Sequence, residues 1–315
     1  MADIVICEDL WHPLPSWLEE KYTVAYHAGL YLDPKRLAEV AEEAKALVVR
    51  NQTRVEHALL ASLRNLRAVG RLGVGLDNIN LAACRNADVQ VVAARGCNAN
   101  AVAEYVFAAM FLHRRHLHEA DELIRKGKWA REESIGFELS GKTLGLIGVG
   151  DIGQRVAVRA RAMGMNVLAY DPFLYASSML VQDFAVKPCD METVCQQADI
   201  ISIHVPLTDD TYHLIGRTEF SMMKTNVMLI NTARGGIVDE EALHSALLDC
   251  PDRFAVLDVR EHEPPVNDQL VQLANTLFTP HVAGITFESS ARVADFVLRG
   301  IDDVLSGRFA QGVVS

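Results

Sequence analysis

Apolar positions along this chain follow two alternating rhythms. Short continuous runs, Ile4-Val5-Ile6-Cys7, Tyr22 to Tyr26, Ala46 to Val49, Leu66 to Leu72 and Val89 to Ala93, have the length of buried strands. Helical stretches around Pro15 to Lys21 and from Leu37 to Ala44 separate them. The second half repeats the scheme with strands at Leu144 to Ile147, Asn166 to Tyr170, Ile200 to His204, Val227 to Asn231, Ala255 to Val259 and Thr276 to Thr279. Between the halves, Ala101 to Arg125 predicts one long helix, with Val102, Val106, Met110 and Leu117 as its apolar positions and Gly127 as its stop. A helix from about Glu288 to Leu305 closes the chain. Strands alternating with helices predict an α/β fold built from doubly wound parallel sheets.

The stretch joining Leu144–Ile147 to its helix reads Gly148-Val149-Gly150-Asp151-Ile152-Gly153, and apolar residues then recur at Ile152, Val156, Ala160 and Met163. In such a strand-turn-helix unit Gly148 permits a sharp turn, Gly150 lets a pyrophosphate approach the backbone, and Gly153 lets the helix pack on the strand. The free amides around Asp151 and Ile152 face the anion. Gly164 ends the helix in a left-handed stop, and the next strand ends at Asp171, placed to hydrogen-bond the adenosine ribose and to repel a 2'-phosphate. The series reads as NAD rather than NADP; the competing reading of Asp171 is an acid opening the Asp171-Pro172 turn.

Ligands of open parallel sheets bind beyond the carboxyl ends of the strands, so residues there are the candidates for chemistry. His204, Pro206, Thr232, Ala233, Asp258 and Gly284 lie at such ends as cofactor-binding candidates. Arg50 ends an early strand and can grip an anionic group, or else is a solvated arginine. Gly73-Val74-Gly75 offers consecutive amides as an anion nest, and a plain turn uses the same residues. Arg234, Glu263 and His281 follow three successive strands. Reduction of a 2-oxo acid needs a cation on the carboxylate and carbonyl, a proton donor for the developing alkoxide, and a hydride. Arginine, histidine and a nicotinamide supply these, and a glutamate bonded to the imidazole stabilises its protonated form.

Composition narrows the picture. The 315 residues suggest two domains, and a net charge of −11 argues against a general basic surface for nucleic acid or an anionic membrane. No basic-then-apolar leader follows the first residues, and the apolar stretch Ala101 to Leu112 is too short to span a bilayer, so a cytoplasmic protein is expected. The six cysteines lack paired spacing and read as reduced packing residues. His113, His116 and His118 invite a metal reading, but only His113 and His116 share a helix face and no carboxylate completes the set; no metal is expected.

Four motifs, Gly148 to Gly153, Asn231 to Glu240, Asp258 to Pro264 and Thr279 to Gly284, occur in an order that resembles the D-isomer-specific 2-hydroxyacid dehydrogenase family. Arg71 to Ile79 resembles the substrate loop of its phosphoglycerate dehydrogenase branch, which also includes hydroxypyruvate reductases. The resemblance implies a Rossmann NAD domain, residues 99–283, inserted in a flavodoxin-like substrate domain, residues 1–98 and 284–315. Closure is implied to hinge near Asn98 to Asn100 and Gly284 to Thr286. It further implies Arg234 on the substrate carboxylate and carbonyl, His281 as acid/base with Glu263 as its partner, and Arg50, Val74 and Gly75 on the substrate carboxylate. A homodimer through the NAD domain is implied as well, with the long helix and the Lys128-Trp129 arm at its interface. Glu263 stands where the formate dehydrogenase branch has glutamine, which disfavours formate. The stretch after His281 is too short for the regulatory domain of longer phosphoglycerate dehydrogenases. The expected substrate is a small D-2-hydroxy acid, 3-phosphoglycerate or glycerate/hydroxypyruvate, with sulfolactate or an NADH-sensing binding role as alternatives.

Overall fold

The computed structural model describes residues 2–266 and 268–314. The chain divides into two compact units, Met1–Asn98 with Ile285–Ser315, and Ala99–Gly284.

In the first unit, strands β1 (Ile4–Ile6), β2 (Val24–Tyr26), β3 (Ala46–Val49), β4 (Ala68–Arg71) and β5 (Gln90–Ala93) form a parallel sheet in the order β2-β1-β3-β4-β5. Side chains alternate across it, as the two-residue period of a strand requires. Val5, Leu47, Val49, Val69 and Val91 pack with Leu37, Leu60 and Leu63 on one face. Ile4, Ile6, Val48, Ala68 and Val92 pack with Val297, Leu298 and Ile301 on the other. These last three belong to the helix Phe287–Leu305, which begins with the Thr286 hydroxyl accepting the Ser289 amide. It lies tight on β4, because a Cβ at Gly70 would come within 2.6 Å of both Ile301 and Val297. Strand order reverses between β1 and β3, which opens a crevice beyond their carboxyl ends.

The second unit holds β6 (Thr143–Ile147), β7 (Asn166–Tyr170), β8 (Lys187–Pro188), β9 (Ile200–Ile203), β10 (Met228–Asn231), β11 (Phe254–Leu257) and β12 (Thr276–Phe278). All pairings are parallel and the order is β12-β11-β10-β9-β6-β7-β8, reversing between β6 and β9. Leu144, Leu146, Ile200, Met228 and Ile230 face Val106, Met110, Val156 and Ala160, from the helices Ala99–Arg115 and Asp151–Ala162. Ile147, Ile201, Ile203 and Leu229 face Val194, Phe220 and Leu243. Two doubly wound parallel sheets, as the alternation of apolar runs predicts, are therefore what the chain builds.

Two details differ from expectation. The single helix over Ala101 to Arg125 is two, Ala99–Arg115 and Leu117–Arg125, parted where His116 turns left-handed at φ 47°. Apolar spacing continues through the break, so periodicity alone does not register it. The second helix buries none of its residues in this chain, whereas the first buries most of one side. Strand β8 was not expected; at two residues it is short, and its proline is tolerated because β8 is an edge.

Candidate active site

The turn after β6 and the helix Asp151–Ala162 form a cradle at the switch point between β6 and β9. Gly148 has φ 90°, and a Cβ there would lie 2.8 Å from the His204 carbonyl oxygen. At Gly153 a Cβ would lie 2.2 Å from the Gly148 carbonyl oxygen, so the helix can approach its strand only through glycine. Gly150 faces open space instead, and it precedes the helix start at Asp151 and half-buried Ile152. Asp171, at the end of β7, accepts the Val149 amide at 2.7 Å and the Phe173 amide at 2.8 Å. It therefore fixes the turn that follows β6 as well as its own.

Along the same edge, His204 follows β9 with Nε2 2.9 Å from the Ser202 hydroxyl. Burial pushes its imidazole down to about 3, so it is neutral. His204 Nδ1 and the Thr232 hydroxyl are buried without a hydrogen-bond partner among the described residues. Orphaned polar atoms are costly unless a ligand meets them, and with the open space at Gly150 they fit a bound dinucleotide. Pro206 accepts the Thr211 hydroxyl through its carbonyl, and Ala233 donates its amide to Asn231 Oδ1.

The strand ends beyond β10, β11 and β12 carry Arg234, Glu263 and His281. His281 Nδ1 lies 2.8 Å from Glu263 Oε2. The other Glu263 oxygen accepts the Arg260 amide at 3.2 Å. Burial works against the Glu263 anion, yet the hydrogen bond and positive charge of His281, the Arg260 amide and the charge of Arg234 hold its carboxyl below the usual range. Arg234 thus acts electrostatically on the same pair; one of its Nη atoms donates to the Ala233 carbonyl at 2.6 Å. Its turn is seated closely on the next strand end: a Cβ at Gly235 would lie 2.0 Å from the Arg260 carbonyl oxygen.

His281 itself has φ 56°, a left-handed backbone that non-glycine residues adopt only when their surroundings impose it. Asp258 imposes it. Its buried carboxylate accepts the Thr279 hydroxyl at 2.6 Å, the Val282 amide at 2.7 Å and the Ala283 amide at 2.8 Å, while its carbonyl accepts the His281 amide at 2.8 Å. Asp258, named above for the cofactor, also organises the loop that leads to Gly284.

The first unit holds Arg50, Val74 and Gly75. Arg50 donates from Nε to the Asp9 carbonyl at 3.0 Å and from Nη2 to the Leu10 carbonyl at 3.3 Å, and its guanidinium stacks 3.6 Å over Trp11. Burial lowers it to about 10, against the charges of Glu8, Asp9 and Tyr26, and it remains a cation at neutral pH. It is therefore a fixed group in the β1/β3 crevice rather than a free surface arginine. Val74 and Gly75 are half-buried just beyond β4, after Gly73 at φ 149°.

Sequence reasoning missed Glu8, Arg260 and Thr279. The Glu8 carboxylate, 3% exposed, accepts the four successive amides of Arg50, Asn51, Gln52 and Thr53. Its position directly beyond β1 was the available signal. Arg260 is pinned by Glu240, at 2.9 and 2.7 Å, and by Asp268, and it holds the backbone that meets Glu263.

Comparison with known proteins gives the family. Residues 107–283 match the NAD-binding domain of D-isomer specific 2-hydroxyacid dehydrogenases. The chain is 43% identical over 296 residues to (S)-sulfolactate dehydrogenase of Chromohalobacter salexigens, covering 93% of this chain and 95% of that one. It is 38% identical to D-3-phosphoglycerate dehydrogenase of Methanocaldococcus jannaschii along its whole length, but spans only 60% of that relative. The D-lactate dehydrogenase of Aquifex aeolicus, solved with NAD and lactic acid, superposes with a TM-score of 0.83 at 27% identity over 96% of both chains. The chain therefore belongs to the D-isomer specific 2-hydroxyacid dehydrogenases and is an NAD-binding oxidoreductase acting on CH–OH donors.

Proposed function

We propose that this enzyme interconverts a three-carbon D-2-hydroxy acid and its 2-oxo acid, with a polar or anionic group on the third carbon. The 2.8 Å contact between His281 Nδ1 and Glu263, within reach of the Arg234 charge, carries the reading. NAD supplies or accepts the hydride. Arg234 binds the substrate carboxylate and polarises its carbonyl. His281 gives the proton during reduction and takes it during oxidation, while Glu263 orients the ring and stabilises the imidazolium. Arg50, with the amides at Val74 and Gly75, holds anionic substrate groups, a role supported by its fixed, partly desolvated guanidinium.

Among candidate acids, sulfolactate/sulfopyruvate comes first, because the likeness to the sulfolactate enzyme extends over nearly all of both chains. 3-Phosphoglycerate and glycerate/hydroxypyruvate follow. Asp171 favours NAD over NADP. A homodimer through the NAD-binding unit is supported by the helix Leu117–Arg125, which buries nothing in its own chain, and by exposed Leu117, Ile124 and Trp129. A cytoplasmic setting is part of the same reading, supported by the cysteines, which are all unpaired.

The test is NADH consumption with sulfopyruvate, hydroxypyruvate, 3-phosphohydroxypyruvate, glyoxylate and phenylpyruvate. Efficiency concentrated on one of the first three names the substrate. Feeble turnover of all five despite tight NADH binding sinks the three-carbon reading in favour of a sensor or another acid.

A further inference from the structure

We infer that Tyr105 is a positioning residue for His281, acting through the hydroxyl of Thr279. Tyr105 lies on the helix Ala99–Arg115, its ring packed against the core of the second unit, and its hydroxyl is 2.6 Å from Thr279 Oγ1. The direction of that bond follows from counting hydrogens. Thr279 has one hydroxyl hydrogen and gives it to Asp258 Oδ1 at 2.6 Å. Tyr105 must therefore be the donor and Thr279 the acceptor. Burial raises the phenol above its ordinary value, which keeps that hydrogen in place.

The chain Tyr105 to Thr279 to Asp258 ends on the loop that carries His281. The segment after His281 is fixed by two backbone amides, Val282 and Ala283, on the Asp258 carboxylate, whose orientation the Thr279 hydroxyl helps to hold. The segment before it is held by the Thr279 amide on the Leu257 carbonyl and the His281 amide on the Asp258 carbonyl, and the Thr279 side chain, whose rotamer Tyr105 sets, adds the tie to the Asp258 carboxylate. His281 sits between these anchors in a left-handed conformation that it would otherwise leave. Without the Tyr105 hydroxyl, the Thr279 side chain is freer to turn, the Asp258 carboxylate loses one of the three donors that orient it, and the aim of the imidazole loosens. Small misplacements of a proton-transfer group cost rate more than affinity.

This inference rests on His281 being the acid/base. In the full-length enzyme, Tyr105→Phe should lower kcat for reduction about tenfold, the effect of one well-placed hydrogen bond, with KM for the oxo acid and NADH affinity unchanged. Thr279→Val should lower kcat equally, the double variant should be no slower than either single one, and Thr279→Ser should restore the rate. Unchanged kcat in Tyr105→Phe overturns the inference. So do additive losses that follow the melting temperature, or a Thr279→Ser variant as slow as Thr279→Val. His281→Ala is measured alongside: if it keeps its rate, the acid/base reading itself fails, whereas an inactive His281→Ala beside a fully active Tyr105→Phe removes only Tyr105.

Discussion

Glu263 bridges two elements: one oxygen accepts the Arg260 amide and the other meets His281 Nδ1. The carboxylate is thus held on its own loop while it holds the imidazole of the next. Its pKa is depressed, so the carboxylate is fully charged above the ordinary carboxylate range and its charge is lost only as pH falls through the lowered value. Reduction should therefore persist at mildly acid pH and decline only where the Glu263 carboxylate is protonated. In Glu263→Gln, a neutral amide no longer stabilises the imidazolium, so kcat should fall about tenfold or more and the acid decline of reduction tied to the Glu263 carboxylate should disappear. Steady-state rates across pH in both directions check this; an unmoved profile refutes the assignment of Glu263.

Asp171 fixes the glycine turn and is proposed to select the cofactor, and the two roles separate on substitution. Asp171→Asn retains an acceptor for the Val149 amide but loses the charge that opposes a 2'-phosphate. The ratio of kcat/KM for NADPH over NADH should rise about tenfold or more, while Asp171→Ala should also weaken NADH binding through the loosened turn. A ratio that stays constant in both variants would remove Asp171 from cofactor selection.

At Gly235 even one methyl group has no room, since the Arg260 backbone stands in its place and cannot yield as a flexible side chain could. Gly235→Ala should displace the Arg234 turn and reduce kcat/KM for the 2-oxo acid by about a hundredfold. Retained NADH binding, measured by fluorescence titration, would show that the unit remains folded.

Asp302 anchors the closing helix of the first unit. It accepts from Lys21, from the Tyr22 hydroxyl at 2.6 Å and from Arg308 at 2.7 Å. Burial opposes its charge, but these bonds bring its pKa down to about 2. Its contribution is therefore complete above the unfolded carboxylate range and disappears as pH falls from about 4 through 2. Asp302→Asn should lose about 1 kcal/mol at pH 7, allowing for solvent screening, with the gap to the parent closing in acid. Denaturant melts at several pH values measure it.

What the sequence revealed, and what it hid, follows from the range of the interactions. The glycine turn, Asp171 and the strand-end positions of Arg234, Glu263 and His281 are local signals, written in consecutive residues or at the ends of apolar runs. The bond between Tyr105 and Thr279 joins positions 174 apart and has no periodicity to announce it. Glu8 catching four amides of the Arg50 loop is equally silent, because a single acid after a strand is compatible with many loops. The helix break at His116 escaped for a different reason: apolar spacing reports which face is buried, not where one residue leaves helical φ.

The close seat of Phe287–Leu305 on β4, made possible by Gly70, also sets an order of events during synthesis. All five strands of the first sheet leave the ribosome before the helix that covers one of their faces. Ile4, Ile6, Val48 and Val92 must wait, uncovered, while the entire second unit is made. The second unit has all of its strands in one uninterrupted stretch and can complete its core first. The nascent protein therefore passes through a stage in which its cofactor half is finished while its opening segment still presents an unsealed apolar sheet, the stage at which aggregation or chaperone capture would be concentrated.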